Sequence, residues 1–337
     1  MNFDLTEDQQ AFADTARQFA EQALAPNAAK WDKEHHFPKD VIQQAGELGF
    51  CGLYTSEEDG GLGLSRLDSS IIFEQLSMGC TATTAMMTIH NMATWMIAKW
   101  GKPELKDKWC PDLVTGKLLA SYCLTEPGSG SDAAALRTSA KLDGDGKAEE
   151  KMGWNAQPTR LITFDNVRIS QINLLGEEGQ GFSFAMQGLD GGRVNIATCS
   201  IGTAQQALNT ATAYMQERTQ FGKPLAAFQA LQFKLADMAT ELVAARQMVR
   251  LAAFKLDNKD SERSAYCAMA KRFATDVGFE VCNQALQIHG GYGYIQEYPL
   301  ERHGRDVRVH QILEGTNEIM RMIVGRRLLA ADAGNIL

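Results

Sequence analysis

The chain has 337 residues, of which 45% are hydrophobic and 22% charged, a composition typical of a soluble globular protein with two or three domains. Its 41 acidic and 33 basic residues give a formal net charge of −8, which argues against nucleic acid or an anionic membrane surface as the main partner. No apolar run reaches the roughly 18 residues of a bilayer-spanning helix, and the start, MNFDLTEDQQ, has no signal-peptide core.

Residues 1–120 have the apolar spacing of a helical domain. Thr6 and Gln9 form a capping-box pattern in front of apolar residues at helical spacing. The glycine-rich stretch TSEEDGGLGLS follows a helix and lacks the Lys-Ser/Thr ending of a phosphate-binding P-loop, so we predict a turn there. Across residues 69–100 the pattern is helical again.

The character of the sequence changes in residues 121–180. Pro127, Gly128 and Gly130 in YCLTEPGSGSD would end any helix. Residues 159–170, TRLITFDNVRIS, alternate between apolar and polar side chains and therefore favour a strand. We predict a β domain at this place in the chain.

Residues 181–337 return to helical periodicity, with long amphipathic stretches around residues 194–217, 226–257 and 262–289. The order helical, β, helical argues against a doubly wound sheet, in which strands and helices would alternate throughout. The predicted fold class is therefore mainly α with a β domain between two helical domains.

Three stretches could carry chemistry, although each has an ordinary structural explanation. YCLTEPGSGSD could bring backbone N–H groups close to a phosphate or a planar ring, but its composition alone favours a plain loop. ERTQFGKPL contains Arg218, which is either a surface arginine or a phosphate clamp. QIHGGYGY follows a helix and lacks the GxGxxG spacing and the preceding strand of a dinucleotide-binding fingerprint.

Glu314 is a carboxylate within an otherwise apolar helical pattern, RVHQILEGTNEIMRMIVGRR. Glutamates on helix surfaces are common, so the local sequence alone favours an exposed side chain. The alternative is a base held in an apolar pocket. There Ile312, Leu313 and the small Gly315 would raise the pKa of the carboxyl group by disfavouring its charged form.

Taken together, YCLTEPGSGSD, ERTQFGKPL, QIHGGYGY and HQILEGTNEIMR make the chain resemble the acyl-CoA dehydrogenase family over nearly its whole length. LDGGRVNIATCSIG and LQFKLADMAT fit the same family, and KMGWNAQPTR is most similar to the branch that acts on isobutyryl-CoA. The resemblance implies a helical N-terminal domain (residues 1–120), a middle β-barrel-like domain (121–180) and a C-terminal four-helix bundle (181–337). It also implies FAD as cofactor and a homotetramer as the assembly.

The same resemblance implies a role for individual residues. Glu314 matches the base that removes the α-proton of the acyl thioester, whose oxygen accepts hydrogen bonds from the base's own backbone N–H and a flavin ribityl hydroxyl, while the β-hydrogen leaves as hydride to flavin N5. The FAD diphosphate and adenosine would be held across a subunit contact by Arg218, Phe228 and Gln229, and from the neighbouring chain by residues 287–291. The expected cofactor residues are Tyr122, Cys123, Leu124, Thr125, Gly130, Ser131, Arg218, Phe228, Gln229, Gln287, Ile288, His289, Gly290, Gly291, Thr316, Asn317 and Glu318. The expected substrate residues are Ser131, Asp190, Gly191, Gly192, Arg193 and Arg326.

The implied reaction is the FAD-dependent α,β-dehydrogenation of a short branched acyl-CoA in valine catabolism, isobutyryl-CoA to methacrylyl-CoA, with an electron-transferring flavoprotein as electron acceptor. A close alternative keeps the reaction and takes a short straight-chain substrate or 2-methylbutyryl-CoA. An acyl-CoA oxidase would differ by releasing hydrogen peroxide. An alternative of another class is a flavin-poor, non-catalytic homologue that serves as a binding or assembly subunit.

The chain departs from this family where Gly146 is followed directly by Lys147. The family continues here through several tens of residues of middle-domain strands, including an aromatic-Ile-Ser/Thr segment that packs on the flavin. An internal deletion would expose the flavin face and put flavin affinity and activity in question. A segment omitted from the sequence would leave the chemistry unchanged.

The seven cysteines contain no CxxC pair and are odd in number, so we predict buried thiols in a reducing compartment, without disulfides or a zinc site. The six histidines are scattered, and no metal site is predicted. Met1 and the sequence that follows it favour a bacterial cytoplasm, with the mitochondrial matrix as the alternative for a processed chain.

Overall fold

Helices make up nearly all the regular structure of the computed structural model, which describes residues 4–135, 149–162 and 168–330. The α-helices are α1 (Glu7–Phe19), α2 (Ala25–Glu34), α3 (Lys39–Glu47), α4 (Arg66–Gly79), α5 (Thr81–Trp100), α6 (Pro103–Val114), α7 (Gly181–Glu217), α8 (Gln229–Asp257), α9 (Arg263–His289), α10 (Gly291–Tyr294), α11 (Leu300–Arg308) and α12 (Asn317–Leu328). Strands β1 (Thr219–Gln220) and β2 (Lys223–Pro224) form an antiparallel hairpin between α7 and α8. Short 3-10 helices are Glu57–Asp59, Ala133–Ala135, Gln171–Asn173, Leu225–Ala227 and Val309–Gln311, and a π-helical turn, Ala20–Leu24, joins α1 to α2. The mainly helical fold class is confirmed.

The N-terminal helices begin as the sequence predicts. Gln9 N donates to Thr6 Oγ1 over 3.2 Å and Thr6 N donates to Gln9 Oε1 over 3.1 Å, which completes the capping box of α1. The helical pattern of residues 69–100 is two helices, because Cys80 adopts an extended conformation between α4 and α5. Apolar periodicity continues across this single residue, so the pattern alone does not show the break.

One apolar cluster joins the N-terminal helices to the C-terminal half of the chain. Phe73 and Leu76 of α4 are fully buried in it, and so is Ile196 of α7. Burying side chains of this size stabilises the fold by roughly 1.5–3 kcal/mol each. The cluster therefore fixes α4 against the segment of α7 that carries residues 190–193.

The C-terminal half is a bundle built on α7, α8 and α9, with α11 and α12 packed against α9. Its core is rich in small residues, such as Ala204 and Ala211 of α7 and Ala270 and Ala274 of α9, all fully buried. Small side chains let helices approach closely, and the extended contact between α7 and α9 fixes their relative position. The candidate site described below lies between these two helices.

The middle part of the chain has much less regular structure than predicted. Between residues 121 and 180, the described residues form an isolated bridge, Glu126 with Ser129, and 3-10 turns, but no strand. The predicted strand over residues 159–170 is wrong for residues 159–162 and 168–170. Glu149 N donates to Thr159 O over 2.9 Å and Arg160 forms an isolated bridge, but no partner strand extends this pairing among the described residues. Residues 163–167 and the Gly146–Lys147 junction lie outside the described residues.

Six of the seven cysteines are buried, as predicted, while Cys123 is exposed. Burial raises the pKa of the Cys51 thiol to about 12, so this group stays protonated. Among the helices of the described ranges, none is long and apolar enough to cross a bilayer.

Candidate active site

Glu314 lies in a turn between the 3-10 helix Val309–Gln311 and α12, not within a continuous helix as its pattern suggested. Its φ angle is 56°, and the φ angle of Gly315 is 88°, so two consecutive residues occupy the left-handed region. Thr316 then caps α12, since Ile319 N donates to Thr316 Oγ1 over 3.4 Å. Glu314 therefore lies outside both the 3-10 helix and α12.

The carboxyl group of Glu314 is desolvated. The residue as a whole is half-buried, but Oε2 is fully buried and accepts no hydrogen bond from any described residue. Burial raises its pKa to about 7, although the positive charges of Arg193 and Lys271 act in the opposite direction. The carboxyl group is thus buried, as the second alternative requires. The setting is not the predicted apolar one, however, because Ile312 is 50% exposed and the charged Arg193 and Lys271 act on the carboxylate.

Gly192 of α7 makes room for this carboxylate. A Cβ atom at residue 192 would stand 2.3 Å from Glu314 Oε2, far inside van der Waals contact. Only glycine lets α7 pass so close to the carboxyl group. The two stretches predicted for base and substrate, far apart in the sequence, therefore meet here.

The other residues of the predicted substrate stretch form a buried ion pair beside Glu314. Arg193 Nη1 donates to Asp190 Oδ1 over 2.7 Å, and Ser264 Oγ donates to Asp190 Oδ2 over 2.5 Å. Arg193 Nε is buried and has no acceptor within the described chain. The pair places one guanidinium charge near the carboxylate of Glu314 in a position fixed by helix packing.

Lys271 of α9 was missed by sequence reasoning. Its side chain is fully buried, and its Nζ donates to Gly315 O over 2.8 Å and to Asn317 Oδ1 over 2.9 Å. A signal was present in the sequence, because Lys271 falls on the same helical stripe as the buried Ala268, Ala274 and Thr275. A lysine on a buried stripe points to a partner inside the protein.

Three side chains near Glu314, those of Tyr54, Arg66 and Asn195, form a polar cluster. Asn195 Nδ2 donates to the hydroxyl oxygen of Tyr54 over 3.2 Å, and the guanidinium carbon of Arg66 lies 3.4 Å from the centre of the Tyr54 ring. Burial raises the pKa of Tyr54, and the charge of Glu314 contributes in the same direction. Sequence reasoning had no signal for this group, because its members come from three separate segments.

The motif YCLTEPGSGSD begins near Glu314 and ends at the surface. Burial raises the pKa of Tyr122 to about 12, with a further contribution from the charge of Glu314, and the buried hydroxyl has no partner in the described ranges. Leu124 is half-buried, whereas Cys123, Thr125, Gly130 and Ser131 are exposed. Within this predicted cofactor loop, Tyr122 is the residue whose pKa is affected by the charge of Glu314.

A second pocket, of about 390 Å³, brings the two other predicted cofactor motifs together in one chain. Its lining includes Arg218 from ERTQFGKPL and the stretch from Ile288 to Gly291 from QIHGGYGY. The guanidinium carbon of Arg218 lies 5.6 Å from the ring centre of Tyr292, and the His289 ring stacks on Tyr214 at 4.1 Å.

The residues of this pocket suit a phosphate-bearing cofactor such as FAD. Gly290 and Gly291 leave open space where a side chain would stand, and the buried Nε2 of His289 has no partner among described residues. Arg218 adds a cation that can pair with phosphate. Gln287 is exposed at the edge, and Phe228 and Gln229 lie next to the pocket where α8 begins.

The remaining predicted residues, Thr316 to Glu318 and Arg326, lie at opposite ends of α12. Thr316 and Asn317 start α12 directly after the Glu314 turn, and Asn317 is buried. Glu318 is exposed on the first turn of α12, and Arg326 is exposed on its last turn. The start of α12 therefore belongs to the neighbourhood of the base, while Arg326 lies at the other end of that helix.

Comparison with known proteins gives a consistent family. The N-terminal domain of acyl-CoA dehydrogenases matches residues 6–117, and the C-terminal domain of the same family matches residues 179–329. The mitochondrial isobutyryl-CoA dehydrogenase of Bos taurus is 46% identical, covering 96% of this chain and 90% of its own. The mitochondrial short-chain specific acyl-CoA dehydrogenase of Bos taurus is 39% identical, covering 97% and 91%.

A solved structure, butyryl-CoA dehydrogenase from Megasphaera elsdenii, is similar with a TM-score of 0.93 and 34% identity, covering 98% of this chain and 100% of that chain. The alignment to the bovine isobutyryl-CoA dehydrogenase has 373 positions against 337 residues in this chain, so at least 36 of them have no counterpart here. The two matched domains leave residues 118–178 between them.

Proposed function

The chain belongs to the acyl-CoA dehydrogenase family, FAD-dependent oxidoreductases, and from this premise we propose that it dehydrogenates a short branched-chain acyl-CoA, isobutyryl-CoA to methacrylyl-CoA, in valine catabolism. The observation that carries the proposal is the Glu314 carboxylate. It is desolvated, its Oε2 has no partner within the described residues, and it faces a glycine that leaves room beside it.

Glu314 is proposed to remove the α-proton of the thioester. This proton is only weakly acidic, so the base must be stronger than an ordinary carboxylate in water. Burial supplies that strength, because it raises the pKa of Glu314 to about 7. At that value the carboxylate is ionised above neutral pH and still gains much from accepting a proton.

Negative charge moves from the carboxylate to the thioester oxygen during this step. The charge of Arg193, and that of Lys271 while it is protonated, lower the pKa of Glu314. Charges held in place inside a dry site stabilise such a transition without having to reorganise. Residues 190–193 together with Ser131 and Arg326 are proposed to bind and orient the acyl-CoA.

FAD is proposed to be held by Arg218, by residues 287–291, by Phe228 and Gln229, and by the starts of α12 and of the YCLTEPGSGSD loop. When bound, FAD supplies the acceptor for the β-hydrogen, which leaves as a hydride. The chain's own part is to hold the substrate close to Glu314 in a defined orientation, since such positioning contributes a large share of catalysis.

Relatives that act on short acyl-CoA substrates support a short acyl chain, and the choice within short chains is the finer part of the proposal. The higher identity to an isobutyryl-CoA dehydrogenase than to a short-chain enzyme, 46% against 39%, favours the branched substrate.

Electrons are proposed to pass to an electron-transferring flavoprotein, and the working assembly is proposed to be a homotetramer. The two bovine relatives compared above are mitochondrial. For this chain we propose the bacterial cytoplasm, or the mitochondrial matrix if it is processed from a longer precursor.

The test is a substrate panel with the purified protein loaded with FAD and kept free of oxygen. Isobutyryl-CoA, 2-methylbutyryl-CoA and butyryl-CoA are added separately, and the loss of the visible flavin band is followed. Fastest bleaching by isobutyryl-CoA supports the proposal, whereas fastest bleaching by butyryl-CoA moves it to the straight-chain alternative. A protein that takes up no FAD supports the non-catalytic homologue and overturns the dehydrogenase.

A further inference from the structure

Lys271 has the properties of a functional side chain that the predicted machinery does not include. It is a fully buried lysine in the middle of α9, a position that side chains of this type occupy only with strong partners. Its partners are the backbone oxygen of Gly315 and the amide oxygen of Asn317. Both belong to residues that directly follow Glu314.

The contact continues through Asn317 back to α9. Asn317 Nδ2 donates to Asp276 Oδ1 over 2.7 Å and to Thr275 Oγ1 over 3.0 Å. Asn317 is itself buried, so these bonds are protected from water. Lys271, Asn317 and Asp276 form a closed chain of hydrogen bonds between α9 and the start of α12, which we name the α9 clamp.

The Glu314–Gly315 turn, which the α9 clamp contacts, has a backbone conformation that needs stabilising contacts. Glu314 has a φ angle of 56° and Gly315 one of 88°. A left-handed conformation is unfavourable for a residue with a side chain and persists where surrounding contacts enforce it. The acceptor of the Lys271 ammonium is the carbonyl of the second left-handed residue, so the bond acts at the bend itself.

We propose that Lys271 is a positioning residue for the base: its ammonium group anchors the Glu314–Gly315 turn and, while protonated, carries a positive charge near the Glu314 carboxylate. The kinetic part of this inference rests on the proposed function, whereas the anchoring part does not.

The charges around Lys271 come from every element packed on it. Asp276 belongs to α9, Arg193 to α7, Glu318 to α12, and Glu314 to the turn. His310 is buried nearby and feels the Lys271 charge, which helps to keep it neutral. Burial lowers the pKa of Lys271 to about 7, and the carboxylate of Glu314 is the largest influence in the other direction. In return, the Lys271 charge holds the pKa of Glu314 below the value that burial alone would give.

The experiment uses the full-length protein with Lys271→Met, which keeps the length and apolar stem of the side chain and removes the ammonium. Lys255→Met is the matched control, because Lys255 forms an ion pair with Asp260 over 2.8 Å at the far end of α8. Lys271→Gln is a second variant, which keeps a hydrogen-bond donor without the charge and serves if the Met variant does not fold.

Two readouts separate the parts of the proposal. In hydrogen–deuterium exchange, the amides of residues 313–319 are expected to exchange at least about tenfold faster in Lys271→Met than in the wild type or Lys255→Met. In steady-state kinetics, kcat is expected to fall at least about tenfold, and the acidic limb of kcat/KM is expected to move to higher pH in both Lys271 variants.

Exchange that is unchanged in Lys271→Met overturns the anchoring role. An acidic limb that stays in place in both Lys271 variants, with exchange increased, overturns the charge role and leaves a structural clamp. If the wild-type protein reduces no acyl-CoA of the panel, the proposed function fails, but exchange still decides whether Lys271 holds the turn.

Discussion

The turn that carries Glu314 and the segment of residues 121–180 are built in opposite ways. The Glu314 turn is enclosed by α7, α9 and α12, and buried side chains hold its backbone. The described residues of the middle segment form 3-10 turns and isolated bridges, at Glu126, Ser129 and Arg160, and most of them are exposed. The proposed base thus lies in a frame of packed helices, whereas the described middle segment has little regular structure.

One place in the middle segment is an exception. Trp154 is buried, and its backbone N donates to Asp306 Oδ1 of α11 over 2.6 Å. A Cβ atom at Gly153 would stand 2.5 Å from Arg305 O, so only glycine allows this approach. The chain therefore packs against the helical frame at KMGWNAQPTR.

The largest expected effect comes from Glu314→Gln. The amide keeps the shape of the side chain but cannot take up the α-proton, so kcat is expected to fall about 10³-fold while bound flavin is unchanged. Glu104→Gln, on the exposed face of α6, is the matched control and is expected to retain full turnover. Activity within a few-fold of wild type in Glu314→Gln would remove Glu314 from the role of base.

Gly192→Ala tests whether the close approach of α7 to the Glu314 carboxylate matters for turnover. The added methyl group would overlap Glu314 Oε2, so the carboxylate must move, and kcat is expected to fall on the order of 10²-fold. Gly181→Ala, in the same helix, meets no atom within 4 Å and is expected to behave as wild type. Equal kinetics for both variants would show that the contact has no consequence for turnover.

Arg218→Ala tests the second pocket separately from the base. Loss of the guanidinium is expected to raise the Kd for FAD about tenfold, with a smaller change in kcat once FAD is saturating. Titration of the apoprotein with FAD measures the Kd, and turnover at saturating FAD measures kcat. The exposed Arg17→Ala is the control. A loss of kcat at saturating FAD with an unchanged Kd would contradict the role of Arg218 in binding the FAD phosphate.

The smallest effect is on stability and concerns the anchor of Trp154. Burial raises the pKa of Asp306 to about 7 from a usual value of 3.8, so the folded protein keeps a proton that the unfolded chain has released between these values. Stability from this group is therefore lost as pH rises through that window.

Asp306→Asn keeps an oxygen acceptor for Trp154 N and removes the ionisation. At pH 8 it is expected to be about 2 kcal/mol more stable relative to wild type than at pH 5. Chemical denaturation at both pH values measures this, with the exposed Asp107→Asn as control. An identical pH dependence in wild type and Asp306→Asn would show that Asp306 does not titrate as described.

Local patterns predicted much of the frame. The capping box at Thr6 follows from short-range chemistry, and the long helices follow from apolar periodicity. The break at Cys80 and the Glu314 turn were hidden, because apolar periodicity runs through both. The contacts of Lys271 with Gly315 and of Asn195 with Tyr54 depend on long-range packing, which no single stretch of sequence encodes.

The middle segment shows the other limit of prediction. Alternation in TRLITFDNVRIS gives a strand its preferred pattern but supplies no partner strand. Residues 159–162 and 168–170 do not form a strand despite this pattern, because the described residues beside them supply no partner strand.

The central claim is that Glu314, with a pKa near neutrality, abstracts the α-proton in a site that still binds FAD. The most direct test is the rate at which isobutyryl-CoA bleaches the flavin in a single turnover without oxygen, followed from about pH 5.5 to about pH 8.5. The account predicts a rate that rises through about pH 7, as Glu314 loses its proton, and then levels off. A rate that does not change with pH across this range, or a protein that binds no flavin, would contradict it.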